Sequence, residues 1–238
     1  MPVFYRRPRP LNATQDAGKS LARAGNFLFA RGTNSVALNG PEFPQAMRTY
    51  PIVFTTGEPR TAVAVLGLRD NENLFLDSAG SWRPDSYIPA YVRRYPFVFM
   101  VQPGNADMVL CIDDDSGLLV EDDTRPLFVD GKPTDVVQHA LRFCAEFQAQ
   151  FKATQEFVQA LVEHDLLVAN ETRVVMKSGQ QMALRGFQVV SEAKFNALSD
   201  AVFLDWRRRG WLHLVYCHLM SMANWSRLVE LAGAQGLG

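Results

Sequence analysis

Residues 134–163 read TDVVQHALRFCAEFQAQFKATQEFVQALVE, and their periodicity decides the fold class. Val137, Leu141, Cys144, Phe147, Phe151, Val158 and Leu161 recur at spacings of three and four, with one step of seven. That is the repeat of one face of an α-helix. Thr134 is placed to cap its start, and Asp135 meets the positive end of the dipole. The spacing predicts one amphipathic helix of about 30 residues.

Upstream the pattern is that of strands. Tyr50–Phe54 is rich in β-formers, Ala62–Leu68 is a continuous apolar run, and Asn73–Asp77 is followed by a turn at Ser78–Gly80. Pro96–Val101 and Asp107–Ile112 flank Pro103-Gly104-Asn105 and are expected to pair as a hairpin. Val63, Val65, Leu66, Phe97, Phe99, Leu110 and Ile112 are the expected core. Residues 1–45 read as an extended arm with short pieces of structure. Asp113–Thr124 reads as a solvated acidic loop, and Pro126–Pro133 as a strand and turn around Asp130-Gly131. Downstream, Glu171–Lys177 and Gln181–Val190 form a second hairpin across Ser178-Gly179. Ser191 and Ser199 cap two short helices, Gly210 interrupts, and Trp211–Leu231 makes the last helix before a frayed tail at Gly233–Gly238.

Strands first and helices later predict an α+β fold: a strand-rich, mainly antiparallel N-terminal half, a long central helix, a β-hairpin and C-terminal helices. The absence of βαβ alternation argues against a doubly wound sheet. One domain is expected over 1–238, with an arm at 1–45, a strand-rich part at 46–133 and a helix-rich part at 134–238.

Composition excludes several classes of function. The chain has 238 residues, 47% apolar and 21% charged, too apolar for a disordered protein. Residues 1–119 carry 12 basic and 11 acidic side chains, and 120–238 carry 12 and 14. Neither half has the basic footprint of a nucleic-acid partner. Three Cys cannot build a disulfide scaffold. Arg6 and Arg7 are not followed by an apolar stretch, so a secretory signal is not expected. The longest apolar runs are far short of the ~20 residues a transmembrane helix needs. A soluble protein without membrane insertion, resident in the cytoplasm unless a dedicated exporter reads it, is the expectation.

The chemistry-bearing motifs are sparse. Asp113-Asp-Asp-Ser-Gly117 fails the calcium-loop frame, since Leu118 stands where the glycine belongs. His213 and His218 lie about 140° apart on a helix, off the i, i+4 spacing of a zinc site. Cys217 and His213 can share a face, but no third ligand is near, so no metal and no cofactor are expected. Gly32-Thr-Asn-Ser35 reads as a turn or cap. Arg69, Asp70, Asn71 and Glu72 lie between two apolar runs, and an aromatic and Arg segment with Trp82, Tyr91, Arg93 and Arg94 follows. If 62–68 and 74–76 pair as a hairpin, these eight residues collect at one sheet end. Guanidinium groups there favour a small anionic ligand, and aromatics beside Arg favour a protein partner. The plainer alternative is that Arg93 and Arg94 pair with Asp70 and Glu72 and fasten the turn.

Several segments together resemble the bacterial SapC-like family: Gly32–Val36, Tyr50–Phe54, Val65–Phe75, Tyr87–Phe97, Val109–Asp113, Gly186-Phe187 and Trp211–Leu219. The likeness runs in order over nearly the whole chain, with mild departures at Cys217 and Met220. The resemblance implies an association with a paracrystalline surface layer and its secretion. It carries no catalytic residues. A multi-span permease and a small disulfide-dependent saposin share the label, and this chain resembles neither. The expectation is a non-catalytic accessory or binding protein tied to cell-surface, surface-layer or export functions. The alternative is an enzyme or enzyme partner acting on a small molecule or peptide through an Arg/Asp/Asn pocket.

Overall fold

The 134–163 periodicity is a helix in the computed structural model, which describes residues 2–23, 25–101, 108–122, 124–175 and 181–234, without the side chains of 171–175 and 181–184. The turns at 103–105 and 178–179, and most of the tail, lie outside the described residues. The strands are β1 (Pro8–Pro10), β2 (Ser20–Leu21), β3 (Ser35–Ala37), β4 (Ile52–Thr55), β5 (Ala62–Val65), β6 (Phe97–Val101), β7 (Met108–Asp113), β8 (Leu119–Val120), β9 (Phe128–Val129), β10 (Lys132–Pro133), β11 (Leu167–Val175) and β12 (Gln181–Val190). The helices are α1 (Phe43–Ala46), α2 (Ala90–Arg93), α3 (Asp135–Glu163), α4 (Glu192–Asn196), α5 (Asp200–Arg209), α6 (Trp211–Ser221) and α7 (Trp225–Ala234). The fold is α+β.

Every described ladder is antiparallel. A five-stranded sheet has the order β11-β12-β4-β5-β3, and a three-stranded sheet has the order β1-β7-β6. Pairs β2-β8 and β9-β10 complete the set. The expected hairpins at 96–112 and 171–190 are both present, and the second joins the large sheet through β4.

Three apolar clusters result, the smallest formed by Tyr5, Val98 and Cys111, and α3 belongs to the two larger ones. Its first half packs Val137, Ala140 and Cys144 against Phe97, Leu110, Ile112 and Leu127 beside the small sheet. From Phe147 onward it packs Phe147, Phe157, Val158 and Leu161 into the core of the large sheet. At 1.5 Å per residue the helix is about 43 Å long, enough to reach across both. Leu141 departs from expectation and is 37% exposed. The buried stripe turns by roughly 80° between the two halves on a regular helix, so Leu141 falls off the shared face. Thr134 occupies the N-cap position, but its hydroxyl donates to the carbonyls of Pro126 (2.6 Å) and Leu127 (3.2 Å) instead of capping.

Val65, Leu66, Phe97, Leu110 and Ile112 are buried as expected, whereas Val63 and Phe99 are only half-buried. Val63 lies on the cleft face of the large sheet, and Phe99, in the middle of β6, lines a surface hollow with Met108 and Phe151. Residues 8–46 run irregularly between short elements, yet Ala30, Leu38, Phe43 and Ala46 are fully buried in the main core. The N-terminal stretch is fastened by β1 on β7, where Asp113 accepts from the backbone of Arg7 (2.8 Å) and Arg6 (3.2 Å) and from the Tyr95 hydroxyl (3.1 Å). Asp113 is therefore buried, contrary to a wholly solvated acidic loop. Asp114 and Asp16 pair with Arg9, at 3.0 Å and 2.6 Å. Trp211–Leu231, expected as one helix, is broken at Met222–Asn224 into α6 and α7. Asn224 donates there to the carbonyls of Met47 (2.7 Å) and Tyr50 (3.1 Å).

Candidate functional site

Directly opposed residues of an antiparallel ladder share a face. Ile52 opposes Ala64, Phe54 opposes Ala62, and Val36 opposes Ala64. All five are buried, and Phe54 meets Phe157 of α3 and His218 of α6. The other face carries Ser35 opposite Val65, Val53 opposite Val63, and Thr55 opposite Phe187. A cleft of about 500 Å³ lies on this outer face, closed at one side by Trp225 of α7 and at its lip by Arg69, Asp70 and Arg185. Trp225 packs on Phe187 at 5.3 Å between ring centres.

The lip is a tight loop built around Glu72. Its carboxylate accepts from the backbone of Leu68 (2.7 Å) and Arg69 (3.1 Å) and pairs with the Arg69 guanidinium (3.4 Å). Leu66 and Gly67 donate to the Asn34 carbonyl, and the Asn34 amide donates to Asp70 at 3.3 Å. Asn71 holds φ +59 at the exposed tip. Gly67 is required because a Cβ there would come within 2.2 Å of the Glu72 carbonyl oxygen. The expected hairpin between 62–68 and 74–76 does not form: Leu74 returns one hydrogen bond to Leu66, Leu76 bridges Trp82, and β5 pairs with β3 and β4. The loop contributes Gly67, Leu68, Arg69 and Asp70 to the lining of the cleft.

The eight sequence candidates are divided among different surroundings. Arg69 and Asp70 line the cleft, Glu72 fastens its loop, and Asn71 points away at the tip. Trp82 is a core residue, its indole N–H donating to the Tyr50 hydroxyl (3.1 Å) with Phe27 and Phe75 against its ring. Tyr91 is buried between Phe4 and Phe147. Arg93 donates to the Ile88 carbonyl (2.9 Å) and the Tyr87 hydroxyl (3.1 Å), and Arg94 stacks on Tyr91 and Phe147. Neither Arg93 nor Arg94 pairs with Asp70 or Glu72. The reason is topological: 87–97 leads into β6, which belongs to the three-stranded sheet, while 67–72 follows β5 in the five-stranded one. Sequence reasoning missed Arg185 and Phe187, which the β12–β4 pairing brings to the cleft, and Trp225, which α7 brings there.

The chemically capable side chains outside the cleft are held by the fold. His218 is fully buried: the Val190 N–H donates to its Nε2 (3.0 Å), so Nδ1 carries the proton and donates to the Ile52 carbonyl (2.7 Å). Burial pulls its pKa down to about 4. Burial pushes the thiols of Cys111 and Cys217 up, and that of Cys144 to about 11. Cys217 lies 3.7 Å from His213. Glu42 is raised by burial while it accepts from Asn39 and Ala90 N–H groups and the Tyr87 hydroxyl. Among the described residues no three His, Cys, Asp or Glu side chains gather as metal ligands, and no helix is long and apolar enough to cross a membrane.

No curated protein and no solved structure matches the chain. A family model described as SapC matches residues 11–228, which takes in the five-stranded sheet, β6 and β7 of the smaller one, α3 and every residue of the cleft. The chain belongs to the SapC family.

Proposed function

We propose that this chain is a non-catalytic binding protein that seats an amphipathic small molecule or short peptide segment on the outer face of its large sheet, in the service of cell-surface or export functions. The observation that carries the reading is the cleft itself. An apolar floor of Val53, Val63, Val65 and Phe187 meets a lip bearing both signs of charge at Arg69, Asp70 and Arg185. A volume of about 500 Å³ falls within the range of small-ligand sites. The floor favours burial of an apolar body, and the lip orients a polar end. The engagement of His218, Glu42 and the three thiols in structure supports binding over catalysis. The surface-layer and export link rests on the family resemblance.

The test compares the wild-type chain with Val63→Trp, which fills the cleft from a half-buried strand position. Both are exposed to host extract, and bound small molecules and peptides are identified by mass spectrometry. A ligand retained by the wild type and lost by the variant, with melting unchanged, supports the reading. Equal recovery by both removes the cleft from the account. Conversion of the retained molecule on incubation turns the assignment to an enzyme.

A further inference from the structure

A second cavity, of about 550 Å³, lies between the end of α2, β6 and the first turns of α3. It shares no lining residue with the cleft on the large sheet. Arg93, Arg94 and Arg125 line it against a single carboxylate, Asp135.

The three guanidinium groups are not equivalent. Arg93 is engaged by the Ile88 carbonyl and by the Tyr87 hydroxyl, which in turn donates to Glu42. Arg94 has no ion pair among the described residues. Its guanidinium carbon lies 4.1 Å from the Tyr91 ring centre and 4.5 Å from that of Phe147, and Tyr5 approaches at 5.7 Å. Rings on its faces leave only the edge for hydrogen bonding; the neutral hydroxyls of Tyr5 and Tyr91 approach that edge, and its Nε is buried without a partner. Arg125, half-buried, also has no ion pair among the described residues. A guanidinium drawn from water without a counter-ion is costly, and interiors normally compensate it. The floor beneath is apolar, formed by Phe97, Ala140 and Cys144 of the second core, and charge attraction is stronger over such a floor than in open water.

We infer that this cavity binds a small dianion, phosphate or dicarboxylate, between Arg94 and Arg125. The inference goes beyond the proposed cleft function and stands or falls separately from it.

Isothermal titration calorimetry of the full chain with inorganic phosphate and, separately, with succinate tests it, at ionic strength held constant with sodium chloride. Saturable binding of either probe is expected. Phosphate alone assigns a phosphoryl ligand, succinate alone a dicarboxylate, and both a general dianion site. Arg125→Gln is expected to weaken binding by about tenfold or more, the scale of one charge-assisted hydrogen bond. Arg94→Lys keeps the charge but loses the flat edge and is expected to weaken binding as well. Arg31→Gln serves as the control, because Arg31 bonds the Asp77 and Ser78 carbonyls and lines neither cavity. If Arg94→Lys does not fold, Arg125→Gln decides. The inference is overturned if neither probe binds more than chloride does, or if Arg125→Gln binds as tightly as the wild type.

Discussion

Acid should loosen this protein through one side chain, His218. The imidazole is fully buried and accepts a hydrogen bond from Val190, which a protonated ring cannot do. Its folded pKa of about 4 lies below the ordinary 6.5. A histidine with a depressed folded pKa contributes its full stability above pH 6.5, and that contribution is lost as the pH falls from there towards 4. At about pH 5 the unfolded chain is protonated at this position and the folded chain is not. The 1.5-unit interval, at about 1.36 kcal/mol per unit, removes about 2 kcal/mol. With a urea m-value of about 2.5 kcal/mol/M, the unfolding midpoint should fall by about 0.8 M between near-neutral pH and about pH 5. Glu42, whose folded pKa is raised, works with the opposite sign and stabilises as the pH falls. The comparison is therefore made against His218→Gln, which keeps Glu42. The variant is expected to be less stable at neutral pH by about 1–3 kcal/mol and to lose the acid-dependent drop. If the variant shows the same drop in midpoint as the wild type, His218 is not its source and the bonding scheme above is wrong.

Phe75→Ala, at a fully buried position, should cost about 3–5 kcal/mol in urea unfolding, while Phe99→Ala, half-buried, should cost clearly less. Gly67→Ala forces the Glu72 carbonyl away and should cost about 1–3 kcal/mol, with the added effect of weakening any ligand retained by the cleft. The three thiols should resist a water-soluble thiol reagent in native buffer and react fully in denaturant, because all three are buried with raised pKa values. Fast labelling of any one in the native protein would contradict its burial.

Local signals in the sequence suffice where one element answers to one environment. The 96–112 and 171–190 hairpins follow from strand runs separated by turn residues, although the second begins four residues earlier, at Leu167, and the helix start after Ser191 follows from a side-chain cap, at 3.4 Å to the Lys194 N–H. Periodicity misled at Leu141 because α3 serves two cores whose directions differ, which no single stripe can represent. The run at 74–76 is apolar because it is buried beside Tyr50 and Trp82, not because it pairs in a sheet. Arg69 and Asp70 were legible as a charged loop between apolar runs. Their neighbours across the cleft were not, since Gly186 and Thr56 meet over a separation of 130 residues, and no local pattern encodes that pairing. Arg94 was legible as an arginine among aromatics. That both of its faces are covered depends on Tyr91 and Phe147, which come from different helices.

The tie at Ile52 sets a timetable for synthesis. The Ile52 carbonyl is met by His218, 166 residues later, and its N–H by the Ser221 hydroxyl, 169 residues later. At about 5–20 residues per second, roughly 10–30 seconds of translation separate the strand from the groups that complete it. During that interval the nascent sheet has an apolar face with no α6 to cover it. Such a chain is a natural client for ribosome-associated chaperones, and release of a chain stopped before His218 would hand the cell an aggregation-prone fragment rather than a smaller working protein.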